Sequence, residues 1–403
     1  MKHLLLFICA AMALVACHHH DDEEEQKEAL RTVIVYVAAE NNLSSYSRSD
    51  LYELTQGSKE LNKRQRLVAF VDDASTSHPY IVEFKEGRRD TVMTYDEDFY
   101  SSDPERFREV IATIEEQFPA ESYGLVLWGH AKGWLIENDV KLLPAARRAY
   151  GVDNGSNLEL GQTFGNRWLN INDMAHALEG LPRFRYIFAD CCCMMCVEVA
   201  YELRNAADYL IGSPAEIPGN GAPYEKIVPL LFNTSDDFYR DIIDAYYNEY
   251  MNVTYTDCSL PLSVVDMSQM DQLAEATRMV LRAPSEYFTD KIAYYYCDKG
   301  DAPVMFDMCS LMERNLDENN YREWKAALDR AVPYRLFSQK WMTDTDHFDV
   351  YRGFSTSIFT EDIYGGLSMF VERPEYNFSR NYDFNREIRQ MSWYEAVGWS
   401  RFE

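Results

Sequence analysis

The sequence predicts an α/β protein built on a mostly parallel, doubly wound central sheet, with helices on both faces and a C-terminal α/β extension. Three observations predict it. Apolar runs rich in β-branched and aromatic residues recur at residues 32–38, 66–71, 123–128 and 185–189; runs without polar alternation suit strands buried on both faces. Between them lie segments whose apolar residues repeat at helical spacing. Strands that alternate with helices give a parallel sheet, and such sheets bind ligands outside the carboxyl ends of their strands.

The chain opens with an address rather than with structure. Lys2 and His3 precede an apolar run over residues 4–13, and Leu14-Val15-Ala16-Cys17 resembles a bacterial lipoprotein box. Residues 1–16 therefore read as a signal peptide, cleaved before Cys17, whose thiol is then acylated. The run is too short to span a bilayer comfortably, so the expected state is exported and lipid-anchored, on the periplasmic or cell-surface face. Residues 17–31 form an acidic tether: the stretch 18–26 carries three histidines and five acidic residues and nothing apolar to fold around. Its histidines are metal-capable, but the composition is that of a flexible linker. Residues 32–251 then form the main domain and 252–403 a region that extends the sheet and shapes the far side of the cleft.

Within the main domain, Asn41 and Asn42 turn the first strand into a helix around residues 50–61. After the strand at 66–71, residues 80–85 and 90–95, joined by Glu86-Gly87-Arg88-Arg89, read as a hairpin. Asp103-Pro104 opens a helix to about Gln117 with Phe107, Val110, Ile111 and Ile114 on one face. The strand at 123–128 leaves through Gly129-His130-Ala131-Lys132-Gly133-Trp134. A polar stretch follows to about Asn170, and Asn172 is expected to cap a helix to Leu181. The strand at 185–189 runs into a helix marked by Val197, Val199, Ala200 and Leu203. Residues 209–212, 260–265 and 366–371 read as later strands, with a helix over 235–250.

Composition narrows the function. At 403 residues the chain has room for two or three domains, or for one large unit with a lobe, and 47% hydrophobic content supports a real core. A formal charge of −27 excludes a nucleic-acid binder, which needs basic patches, and favours basic peptides as partners. Of nine cysteines, Cys9 and Cys17 belong to the leader, Cys191, Cys192, Cys193 and Cys196 cluster, and Cys258, Cys297 and Cys309 are scattered. That pattern does not resemble a disulfide framework.

The cluster sits where a strand meets a helix. A thiol at a helix N-terminus lies beside unpaired N–H groups and the positive end of the dipole, which favours the thiolate; Cys192 is the expected nucleophile. Cysteine catalysis also needs an imidazole and N–H donors for the oxyanion. The folded region has four histidines. His78 precedes Pro79 in a turn, His176 lies inside a predicted helix, and His347 sits among acidic residues. Only His130 follows a buried strand and is bracketed by glycines. The competing reading of His130 is a strand-end histidine satisfied by the backbone.

Leu127-Trp128-Gly129-His130-Ala131-Lys132-Gly133-Trp134, with Asp190-Cys191-Cys192-Cys193-Met194 and Val197-Glu198-Val199-Ala200-Tyr201-Glu202-Leu203, resembles the clostripain family of cysteine peptidases, which share the caspase-like fold. Weaker matches are residues 35–43, 218–224 and 366–370, so the resemblance spans nearly the whole mature chain. It implies an endopeptidase cleaving after Arg or Lys, with His130 as catalytic histidine and Cys192 as nucleophile. It implies an oxyanion hole from the N–H groups of Ala131 and Cys192, and Asp190 lining the specificity pocket, where a carboxylate would pair with a substrate Arg or Lys. Asp190 can equally be a plain strand-end cap. The family usually has Gly where Ala131 stands, and small residues where Cys191 and Cys193 flank the nucleophile. The family is often self-processed between the histidine and cysteine strands, and Arg147-Arg148-Ala149 lies in that connection. Calcium dependence occurs in it too; Asp153 and Asn154 can supply oxygens, without convincing ligand spacing, and no metal ligand is assigned.

Two rival readings accompany this one. The cysteines with Met194 and Met195 resemble a thiolate and thioether site for a soft metal, although three successive residues cannot easily aim at one ion. Alternatively the chain is a lipid-anchored binding protein that kept the fold and lost the activity.

Overall fold

The computed structural model describes residues 29–136, 149–157, 165–252, 260–289, 291–298, 302–338, 341, 360–376 and 383–402. Cys17 with the leader and most of the tether, Arg147, Arg148, Cys258 and His347 lie outside the described residues.

In chain order the first part contains β1 (Arg31–Ala39), α1 (Ser44–Gly57), β2 (Gln65–Asp73), the hairpin β3 (Tyr80–Lys85) and β4 (Arg88–Thr94), α2 (Pro104–Gln117) and β5 (Tyr123–Gly129). Then come β6 (Tyr150–Asp153), β7 (Arg167–Leu169), α3 (Ile171–Ala177), β8 (Phe184–Asp190), α4 (Val197–Leu203), β9 (Ala207–Gly212), α5 (Tyr224–Leu230) and α6 (Tyr239–Asn252). The last part holds β10 (Leu262–Asp266), α7 (Met270–Val280), β11 (Tyr294–Asp298), β12 (Ala302–Asp307), α8 (Met308–Asn315), α9 (Glu318–Ala331), β13 (Tyr334–Leu336), β14 (Ser368–Met369), α10 (Phe384–Ile388) and α11 (Ser392–Val397).

Nine strands form the main sheet in the order β13-β10-β9-β8-β5-β1-β2-β3-β4. Its centre, β2-β1-β5-β8-β9, is parallel throughout, and antiparallel strands finish both edges. Strand order reverses around β1: the chain moves one way to β2 and the other way to β5, β8 and β9. That reversal opens the crevice in which doubly wound sheets bind ligands.

Alternation along β1 shows how the layers form. Ile34, Tyr36 and Ala38 enter one core with Phe107, Val110, Ile111 and Ile114 of α2 and residues of α3, α4, α7, α9 and α11. Val33, Val35, Val37 and Ala39 enter the other with Leu51 and Leu54 of α1, Ile227 of α5 and Ile242 of α6. Both cores draw on residues on either side of position 252. A smaller sheet, β11-β12-β14, packs with the first core.

Several boundaries differ from expectation for local reasons. Helix α1 starts six residues earlier than the periodicity suggested, because Asn41 Oδ1 accepts from Leu43 N at 2.8 Å and the Ser44 hydroxyl donates to Asp73 at 2.7 Å. It stops at Gly57, where a Cβ would meet Tyr224 O of α5 at 2.8 Å. Helix α3 is capped by Asn170, not Asn172, and ends at Ala177. The run 366–371 forms only the two-residue β14, outside the main sheet. Its backbone is taken by the loop after β8 and by α4 instead: Ser368 N donates to Met195 O at 3.0 Å and Phe370 N to Glu198 Oε1 at 2.8 Å. Asp103 caps α2 as the sequence indicated, accepting from Glu105 N and Arg106 N.

Gly124, the second residue of β5, is registered with Tyr186 of β8, and a Cβ there would clash with the Tyr186 ring. That ring is wholly buried and its hydroxyl donates to Leu231 O at 2.9 Å, so it has nowhere to retreat. Gly124→Ala is expected to cost about 1–3 kcal/mol of stability by overpacking, read as a lower midpoint in urea unfolding.

Candidate active site

Strands β5 and β8 deliver the two expected catalytic side chains to one edge. Trp128 and Asp190 are registered partners, and His130 and Cys192 each follow two residues beyond that pair. Neighbouring strands lie about 4.8 Å apart, so both residues emerge beside the same crevice.

The backbone around His130 is held by β6. His130 O accepts from Gly151 N at 2.7 Å, and Lys132 N donates to Ala149 O at 2.9 Å. These two bonds flank Ala131, which is bridged to Tyr150, so its own N–H points away from β6. Ala131 has no positive φ, and the missing glycine therefore brings no backbone strain. The imidazole is oriented by a residue that the sequence marked only as part of a turn: Nε2 lies 2.7 Å from Asn42 Oδ1. The Asn42 amide thereby holds the direction in which the ring faces. Trp168 stands beside the ring, with centroids 6.4 Å apart. The strand pattern of β1 gave no hint of Asn42, which belongs to the turn beyond it.

Cys192 is half-buried, in a turn after β8. The expected helix N-terminus is not there: α4 begins only at Val197, and its N-cap is the buried Cys196. A helix dipole fades within a turn, so it gives this thiol no help. Burial pushes the Cys192 thiol up to about 12, reinforced by the Glu216 carboxylate, while the Ile217 N–H and Lys132 pull the other way. Ile217 N donates to the sulfur at 3.4 Å. The next residue, Cys193, adopts a left-handed φ of 59°, a conformation uncommon without glycine. It is held by its N–H bond to Ala215 O at 2.9 Å. This bend turns the chain back along residues 213–217 and leaves Cys192 at its apex. Among the described residues, neither the Ala131 N–H nor the Cys192 N–H is spent on an internal hydrogen bond.

Asp190 is buried, and its carboxylate is fully engaged. One oxygen accepts from Ala222 N at 3.0 Å and the Tyr224 hydroxyl at 2.7 Å, the other from the Tyr246 hydroxyl at 2.8 Å. Burial raises its pKa against the pull of these donors. Asp50 lies across Gly221 from it; its carboxyl, bonded to Trp128 Nε1 at 2.6 Å, is pushed up to about 8 by burial and then by Asp190. Two buried carboxyls thus lie together where the sequence pointed to one.

The remaining candidates separate cleanly. His176 is exposed on α3 beside Glu179, and His78 Nδ1 contacts Tyr95 O at 3.0 Å. Cys191, Cys192, Cys193, Cys196 and Cys309 are all free thiols. Among the described residues no three thiols converge on a common point; the group of three that does is Glu40, Asp72 and Asp153, each with an oxygen within 4.8 Å of the others. Asn154 Oδ1 accepts from Ser156 N at 3.1 Å, closing a local turn after β6.

Comparison with known proteins places this arrangement. The clostripain family matches residues 35–402. A secreted C11 cysteine protease from Bacteroides thetaiotaomicron, in complex with an irreversible peptide inhibitor, is 28% identical with a TM-score of 0.76, covering 93% of this chain and 100% of that one. An inactive zymogen C11 protease from Parabacteroides distasonis is 26% identical with a TM-score of 0.74, covering 92% of this chain and 98% of that one. A secreted C11 cysteine protease from Bacteroides thetaiotaomicron called iotapain, 21% identical with a TM-score of 0.72 over 92% of this chain and 99% of that one, shares the fold. No curated protein matches the chain.

With its thiol held up near 12, uncleaved protein should be alkylated slowly by iodoacetamide at pH 7. The rate at Cys192 is expected to rise about tenfold per pH unit through pH 10, following the thiolate fraction; peptide mapping by mass spectrometry reads it. A plateau already at pH 7 would contradict the burial argument.

Proposed function

The chain belongs to the clostripain family of cysteine proteases, hydrolases of caspase-like α/β fold, and from that membership we propose that it is an endopeptidase cleaving after Arg or Lys through His130 and Cys192. The observation that carries the reading is the Trp128 and Asp190 register, which sets imidazole and thiol equally far beyond one strand pair. Cys192 Sγ attacks the scissile carbonyl. His130 takes the thiol proton and returns it to the leaving amine, and water then releases the acyl group. The unspent N–H groups of Ala131 and Cys192 are suited to the oxyanion. Asn42 is a positioning residue, fixing the ring.

Asp190 is the proposed recognition carboxylate for a basic side chain. Its oxygens are already taken by two tyrosines and a backbone N–H, so an incoming guanidinium or ammonium must displace a tyrosine hydroxyl. A charged donor outcompetes a neutral one by roughly twofold in bond strength, which makes that exchange favourable for Arg or Lys and for little else. Self-cleavage after Arg147 or Arg148 is part of the proposal. It would leave Ala149 near a new N-terminus, immediately ahead of the strand that holds His130. Export and acylation at Cys17 complete it; among the described residues no helix is long and apolar enough to cross a membrane.

Fluorogenic peptides ending in Arg or Lys should be turned over and those ending in Asp or Leu should not. Cys192→Ala and His130→Ala are expected to lose ~10³-fold or more in kcat/KM. Asn42→Ala should lower kcat by about tenfold with KM little changed and displace the acidic limb of the pH profile, because the imidazole keeps its place in the fold but loses its orienting partner. Wild-type protein should appear as two chains, cut within residues 147–149, while Cys192→Ala stays intact. Equal cutting of both would remove self-processing from the proposal. Cys17→Ser should move the protein from the membrane fraction to the soluble exported fraction.

A further inference from the structure

Helix α1 lies along the segment 217–224, and three close approaches set the two side by side. A Cβ at Gly57 would meet Tyr224 O at 2.8 Å. A Cβ at Gly221 would lie 2.8 Å from Asp190 Oδ2 and 3.3 Å from Asp50 Oδ2. A Cβ at Gly219 would lie 3.3, 3.4 and 3.6 Å from three atoms of the Tyr46 ring. Tyr46 stands four residues before Asp50, about one helical turn or ~6 Å along the axis, so the two side chains share a face. The start of the same segment holds the thiol, because Ile217 N donates to Cys192 Sγ at 3.4 Å. A turn closed by Gly221 N on Pro218 O at 2.9 Å joins these contacts. Along residues 217–221, Tyr46 therefore stands between Cys192 and the carboxyls of Asp50 and Asp190.

The ring is set off from an ordinary surface tyrosine. An exposed tyrosine on a helix is common, and Tyr52, 62% exposed, is one. Tyr46 has a glycine against it. Gly219 has no positive φ, so its backbone does not call for glycine, and what the missing Cβ spares is the Tyr46 ring. The residue still keeps 39% of its surface exposed. Elsewhere the chain covers such rings with its own arginines: Arg204 over Tyr201 at 3.8 Å, Arg167 over Tyr100 at 4.1 Å and Arg240 over Tyr334 at 4.3 Å. Among the described residues no cation lies over Tyr46.

We propose, building on the cleavage after basic residues proposed above, that Tyr46 is a specificity-determining residue whose ring stacks on the side chain of a substrate arginine on its way from Cys192 to Asp190. A carboxylate attracts an ammonium and a guanidinium alike. A flat ring separates them: the guanidinium is planar, weakly hydrated and stacks on aromatic faces, whereas the ammonium is a compact, strongly hydrated point charge. Arginine is therefore the preferred residue and lysine the tolerated one. Tyr46 meets the substrate side chain and not the reacting atoms, so its contribution falls on KM rather than on kcat.

The test uses the full mature chain and fluorogenic peptides that differ only in ending with Arg or Lys. Wild type should favour the Arg peptide by about tenfold in kcat/KM. Tyr46→Leu keeps an apolar side chain without a π face. It should raise KM for the Arg peptide about five- to tenfold, hold kcat within about twofold, and shrink the preference for Arg to about twofold or less. Tyr46→Phe keeps the face and should restore both KM and the preference. Alkylation of Cys192 by iodoacetamide, a small neutral probe, should run at the wild-type rate in Tyr46→Leu, which separates loss of the ring from a disturbed loop. If Tyr46→Leu does not fold, Tyr46→Met replaces it. Equal losses on both peptides, an unchanged preference in Tyr46→Leu, a Tyr46→Phe protein that behaves like Tyr46→Leu, or a wild type that favours lysine would overturn this role for Tyr46 and leave the proposed protease standing. A wild type that cleaves neither peptide removes the protease and the role together.

Discussion

Parallel pairing of β5 with β8 is the constraint on which the site depends. Parallel neighbours cannot be joined by a tight turn, so both strands end at the same edge and each is followed by an independent loop. One loop brings a histidine and the other a cysteine, and the shared register sets their separation. Gly124 lets the Tyr186 ring cross β5, and that packing fixes the register in turn. The remaining parts of the site are attached to these two loops. β6 braces the histidine loop from one side, residues 213–217 and β14 brace the cysteine loop from the other, and Asn42 reaches in from the end of β1.

Charge is the second organising quantity. The carboxyl edge gathers Asp50 and Asp190 in one place and Glu40, Asp72, Asp98 and Asp153 in another, all buried. A buried carboxylate is tolerated when hydrogen-bonded and expensive when not. Tyrosine hydroxyls and a backbone N–H satisfy Asp190. The other cluster has too few donors for its oxygens. The same residue type thus has two different fates within one rim, decided by what the surrounding chain donates.

Much of this was legible in the sequence, and the exceptions share a cause. Buried parallel strands are long apolar runs, so β1, β2, β5 and β8 stood out, and with them the rim positions of His130, Cys192 and Asp190. The helix start that Asp103 caps was equally readable, whereas the starts of α1 and α3 were not. What escaped depends on contacts between distant segments. Asn42 acquires its role only because β1 lies beside β5, and Glu40, Asp72 and Asp153 meet only because β1, β2 and β6 end together. No spacing rule reveals such a group. The helix dipole assigned to Cys192 failed for a related reason: the pattern marked a strand and a helix but not the turn over residues 191–196 that separates them.

That failure changes how the proposed chemistry would run. Burial holds the Cys192 thiol well above its ordinary range, reinforced by the Glu216 carboxylate. Under the proposed dyad, a preformed ion pair of the kind found in low-pKa cysteine enzymes is therefore not favoured. The arrangement suits general-base attack instead, with the proton passing to the imidazole as sulfur meets the carbonyl and charge appearing on the oxyanion rather than on sulfur. Under that mechanism the orientation of the ring matters more than the acidity of the thiol. The fold invests accordingly: its backbone bonds and its asparagine bear on His130, while Cys192 sits in a turn with the Ile217 N–H on its sulfur.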